Sequence, residues 1–115
     1  MNAVGMVGVM RGIADLITDA DDVFLGMLGF DRAELHAGGL NWKTLTPAEF
    51  LHLDEAGTRQ ASQGGFTVPY QKEFVHKDGS RVPVLLVCAW VPGIVDGWIG
   101  YVVNLSVSAD HPRVP

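Results

Sequence analysis

Short apolar segments set at two different periods organise this chain. Val4 to Met10 alternates small and apolar residues, which predicts a first strand. Arg11 to Asp15 reads as a turn, followed by a short strand at Leu16-Ile17-Thr18. Val23, Phe24, Met27 and Leu28 then fall at helical spacing on one face. Asp21 is placed to cap that helix, where its charge meets the positive end of the dipole, and Gly29 stops it. Asp31-Arg32-Ala33-Glu34 opens a second short helix in the manner of a capping box, ended by Gly38-Gly39. Thr46-Pro47-Ala48-Glu49 predicts a third, with a Thr cap, Pro at the first helical position and Glu at the third. That helix should run to about Ser62 and close at Gly64-Gly65.

From Phe66 onward the period becomes that of strands. Phe66 to Lys77, Arg81 to Val91 and Trp98 to Val107 are three long candidates. Lys77-Asp78-Gly79-Ser80 and Pro92 to Gly97 are the turns between them, of the kind that joins antiparallel strands. Two short strands, several short helices and three long strands predict an α+β fold. In it a five-stranded antiparallel sheet carries the helices on one face. One domain over residues 1–106 is expected, with a loose tail over 107–115 that lacks periodicity.

Composition narrows the function classes. At 115 residues the chain suffices for one core. Apolar residues make up 48% and charged residues 18%, a globular balance. Eight Lys and Arg against thirteen Asp and Glu leave a formal charge of −5, with the basic residues scattered. Nucleic acid is excluded as a partner, because it needs a basic patch. The one cysteine, Cys88, has no internal partner, which points to a reducing compartment. No apolar run approaches the ~20 residues of a membrane span, and no charged leader precedes the apolar start. The chain reads as soluble and cytoplasmic.

Several segments, in order, resemble the PAS family of sensory domains. Ile17 to Phe30 is similar to its "I-x-x-A-N-x-A-F … L-G-Y" stretch, and Glu34-Leu35 to the "x-E-L" that follows. Trp42 to Phe50 is similar to "W-x-x-L-T-P-x-E-Y" of bacterial PAS sensors. Tyr70 to Phe74 and Lys77 to Val84 resemble "Y-x-K-E-Y" and "K-D-G-S-x-x-P-V". The likeness spans residues 5 to 106. Asp21 departs from the family's Asn, and Asn104-Leu105-Ser106 from its "D-I/L-T" hinge into an output helix. Val107 to Pro112 does not read as that helix.

The resemblance implies a ligand site between the helices and the inner sheet face. By the family's pattern Val82, Val84, Leu86, Cys88 and Trp90 point inward, with Gly100 and Val102 on the neighbouring strand. Gly100 would leave room for a ligand. The other face then carries Pro83, Leu85, Val87, Ala89 and Val91, beside Ile99, Tyr101 and Val103. An antiparallel sheet exposed on one side should be polar there, so this apolar face asks for cover. With too few residues before the first strand for the family's cap helix, homodimerisation through this face is expected.

No cofactor is expected. The flavin-binding "G-R-N-C-R-F-L-Q" helix is absent, and Cys88 lies on a strand. His52 lies on the third helix, but Asp54 occupies the approximate place of the haem-ligand histidine of relatives. Two residues turn about 200° round a helix, so His52 would face away. His36, His76 and His111 are isolated, and Asp19, Asp21 and Asp22 lack the spacing of a calcium loop. The expectation is a bacterial PAS sensory and interaction domain without catalysis. It would act on an attached or associated signalling output through dimer geometry, with a small apolar ligand as a further partner. The alternatives are a haem or flavin sensor and, in another class, a small enzyme using Asp19 or Asp54.

Overall fold

The computed structural model describes residues 6–106. Strands β1 (Val7–Ile13) and β2 (Leu16–Ala20) form a hairpin. They are followed by helices α1 (Asp22–Leu28) and α2 (Arg32–His36), a 3-10 turn at Ala48–Phe50 and helix α3 (Leu51–Gly64). Strands β3 (Tyr70–Val75), β4 (Arg81–Trp90) and β5 (Gly97–Asn104) complete one antiparallel sheet of order β2-β1-β5-β4-β3. The α+β layout expected from the pattern is the one observed. Among the described residues no helix is long and apolar enough to cross a membrane.

The local signals for α1 and α2 act as read. Asp21 Oδ1 accepts the Phe24 N–H at 2.9 Å, and Gly29 ends α1 in the left-handed region at φ 81°. In α2 both bonds of the Asp31–Glu34 capping box are made, at 2.8 and 3.0 Å. Gly65 likewise closes α3 at φ 91°.

Several boundaries differ from the sequence pattern, most by one or two residues, and four of them have a visible cause. Arg11 to Ile13, read as turn, stay in β1 because β5 pairs with it from Val7↔Val103 through Ile13↔Gly97. The reversal is confined to Ala14 and Asp15, with Ala14 at φ 50°. Thr46 does not cap α3. Pro47 precedes a 3-10 turn without a side-chain cap, while the Thr46 hydroxyl donates to the Trp42 carbonyl at 2.7 Å. Phe66 and Thr67 precede β3 rather than belong to it. They clip to β4 through the Thr67 N–H to the Cys88 carbonyl at 2.8 Å, and Val68 N–H is taken by Gln60. β5 ends at Asn104, whose side-chain carbonyl accepts the Ser106 N–H at 3.0 Å, and Leu105 and Ser106 are already helical. The expected tail and the non-helical reading of 107–112 lie outside the described residues.

The core fills the space between helices and sheet. Phe24, Leu28, Ile17, Phe74, Val84 and Val102 are sealed from solvent, and the Phe24 and Phe74 rings meet edge to face at 5.9 Å. Close approach depends on missing side chains. A Cβ on Gly8 would sit 2.8 Å from the Phe24 backbone, and one on Gly12 would collide with the Trp98 ring and the Leu16 carbonyl.

Candidate ligand cavity and outer sheet face

Alternation in β4 and β5 runs without a bulge, so each face is set by register alone. On the inner side, between α3, the Asn41–Lys43 connection and the sheet, lies a cavity of about 450 Å³. Its apolar wall includes Met10, Leu51, Ala61 and Leu86, and its aromatic wall Trp42, Tyr70, Trp90 and Trp98. Cys88, Thr58 and Thr67 also line it.

Of the residues assigned inward, Leu86, Cys88 and Trp90 reach the cavity. Val82, Val84 and Val102 instead belong to the closed core. The space beside Gly100 is occupied: a Cβ there would lie 3.1 Å from Met10 Cε and 3.3 Å from Cys88 Sγ. Burial pushes the Cys88 thiol up to about 12, so it stays protonated at neutral pH.

Two indoles are anchored on one carbonyl. Trp42 Nε1 and Trp98 Nε1 donate to the Ala14 carbonyl at 2.9 and 2.7 Å. The left-handed turn at Ala14 aims that oxygen at both rings. Trp90 Nε1 is different: it is buried and, among the described residues, has no hydrogen-bond partner.

Beside the cavity sits a charged cluster that sequence reasoning missed. Lys72 Nζ donates to Asp54 Oδ2 at 3.0 Å and to Thr46 Oγ1 at 2.8 Å, and the Tyr70 hydroxyl donates to Asp54 Oδ1 at 2.8 Å. The two charged side chains are 1% and 4% exposed. The ammonium also stands 4.1 Å from the Phe74 ring centroid and 5.7 Å from that of Trp42. Desolvation holds the Lys72 pKa below the ordinary lysine value, opposed by the Asp54 charge. Burial, reinforced by Asp54, raises that of Tyr70. The readable signal was phase. Lys72 shares the inward row of β3 with Tyr70 and Phe74, and a charge on such a row requires a partner. Gly57 lets α3 approach, since a Cβ there would lie 3.2 Å from the Tyr70 ring.

The remaining candidates are not gathered here. His52 and His36 are exposed, and His76 lies against the β3–β4 turn, where Nδ1 accepts the Asp78 N–H at 3.0 Å. His111 lies outside the described residues. Asp19 is half-exposed and pairs with Arg11 and Arg32. Among the described residues no group of His, Cys, Asp or Glu is arranged to hold a metal.

On the outer side the apolar row is real. Leu85, Val87, Ala89, Val91, Ile99 and Val103 are half-buried by one another, and Tyr101 is 48% exposed. β1 extends the patch with Val7 and Ile13, at 50% and 47%. Ala89 also contributes to the cavity lining. Arg81, with Glu49 and Glu73 at 3.0 and 2.9 Å, forms a charged border.

No family model matches the chain. It is 32% identical over 104 residues to the hybrid signal transduction protein dokA of Dictyostelium discoideum, covering 90% of this chain. The chain spans about 6% of the length of that curated relative. Among solved structures it is similar to the PAS domain of a LuxR-family transcriptional regulator from Burkholderia thailandensis in complex with ethanol. That match has a TM-score of 0.72 and 16% identity, covering 87% of this chain and 89% of that one. It is also similar to a domain of a sensory box sensor histidine kinase/response regulator from Geobacter sulfurreducens. There the TM-score is 0.64 and the identity 19%, covering 90% and 84%.

Proposed function

We propose, from the premise that this chain is a PAS domain in fold, that it is a sensory and interaction module of signal transduction. The fold is the one its sequence resemblance implied. In this reading the domain is cytoplasmic, has no catalysis of its own, and biases an attached or associated output.

The observation that carries the reading is the aromatic-walled cavity of about 450 Å³ against the inner face of β4, the size of a small-molecule site. The ethanol complex of the Burkholderia domain is a precedent for a small occupant on this fold. A ligand there would touch α3 and the ends of β4 and β5 together. Its binding energy could thus shift how the helices sit on the sheet. The apolar outer face supports self-association as the second half of the mechanism: two copies stacked through β4 and β5 would remove Tyr101, Val7 and Ile13 from water.

Native mass spectrometry tests both halves, since one spectrum reports subunit count and any retained small molecule. A dimer that Leu85→Asp converts to a folded monomer supports the interface. A wild-type chain that remains monomeric at high concentration overturns it, and a cavity that takes up no small molecule overturns the sensory half.

A further inference from the structure

The four aromatic residues of the cavity wall, Trp42, Tyr70, Trp90 and Trp98, include all three of the chain's tryptophans. An aromatic face carries partial negative charge and attracts cations, most strongly where water is excluded. The neighbourhood already does this once, holding the Lys72 ammonium 5.7 Å from the Trp42 ring centroid.

Charge in the lining has the same sense. Asp15, Asp54, Glu55 and Asp96 line the cavity against one lysine, Lys43. Asp54 is neutralised by Lys72, whereas Asp15, Glu55 and Asp96 make no salt bridge among the described residues. An anion would meet this lining at a loss.

We infer that the cavity selects a compact organic cation, a substituted ammonium, over a neutral molecule of the same shape. This rests on the reading of the cavity as a ligand site. The ammonium lies against the aromatic wall, within reach of the field of Asp15, Glu55 and Asp96.

Calorimetry and tryptophan fluorescence with choline and with its neutral carbon isostere, neohexyl alcohol, separate the two. Choline is expected to bind at least about tenfold more tightly, with the preference shrinking as salt is added. Trp90→Leu removes a ring of the wall but keeps an apolar side chain, and should weaken choline several-fold while changing the alcohol little. Equal or tighter binding of the alcohol overturns the inference while leaving a ligand cavity in place. Binding of neither overturns the cavity reading as well. Equal loss of choline and the alcohol in Trp90→Leu overturns the role of the aromatic wall.

Discussion

Replacing Asp54 by Asn tests whether the cluster beside the cavity is a true buried ion pair. The substitution preserves size and leaves an amide oxygen to accept from Tyr70 or Lys72, but it removes the countercharge 3.0 Å from Lys72 Nζ. With the lysine side chain 1% exposed, the ammonium then has no countercharge, only neutral contacts such as Thr46 Oγ1 at 2.8 Å and the Phe74 and Trp42 rings at 4.1 and 5.7 Å. Breaking such a pair costs about 3–5 kcal/mol. The ring and hydroxyl contacts that survive place this case near about 3 kcal/mol. In urea at pH 7, with a slope of about 1–1.5 kcal/mol/M for a domain of this size, the midpoint should fall by roughly 2–3 M.

The pH dependence supplies a second readout. Lys72 is already held below its ordinary pKa by desolvation, and losing Asp54 removes the influence that opposes this. A lysine depressed in the folded state penalises folding fully while both states are protonated. That penalty is relieved as pH rises through the folded value toward the unfolded one near about 10.4. The gap between Asp54→Asn and wild type should therefore narrow from pH 7 to 10. Because removing both charges avoids the stranded ion, Lys72→Met with Asp54→Leu should recover more than half of the loss. A cost below about 1 kcal/mol for Asp54→Asn would refute the reasoning, as would a gap that does not move with pH.

Two further outcomes follow from packing. With its pKa near 12, Cys88 should react with iodoacetamide at pH 8 roughly 10³-fold more slowly than an unperturbed thiol, and alkylation at the unfolded rate would show it to be open. Gly8→Ala places a methyl 2.8 Å from the Phe24 backbone, so it should cost about 1–3 kcal/mol in thermal or urea unfolding; a neutral result would mean that α1 floats on β1.

Most of the architecture is local and could be read along the chain. Asp21, the Asp31–Glu34 box, Gly29 and Gly65 define helix ends by bonds made within a few residues, so sequence order suffices. Strict alternation in β4 and β5 fixed which residues share a face, and with it the apolar outer row. Resemblance to a known family then supplied the arrangement of the elements. What failed was any feature whose partner is distant in sequence. The Thr46-Pro47-Ala48-Glu49 signal is locally a good cap, yet a lysine 26 residues away claims its hydroxyl. β1 extends past its own turn signal because β5 supplies the hydrogen bonds. The inward rows were legible, but not where along them the core closes and the cavity opens. That depends on how α3, the Trp42 loop and the Ala14 turn meet over the sheet. A sequence records the period of each element, because period is a property of the backbone. Where two such elements touch depends on side chains from both, so the Asp54–Lys72 pair and the cavity beside it exist only in the tertiary structure.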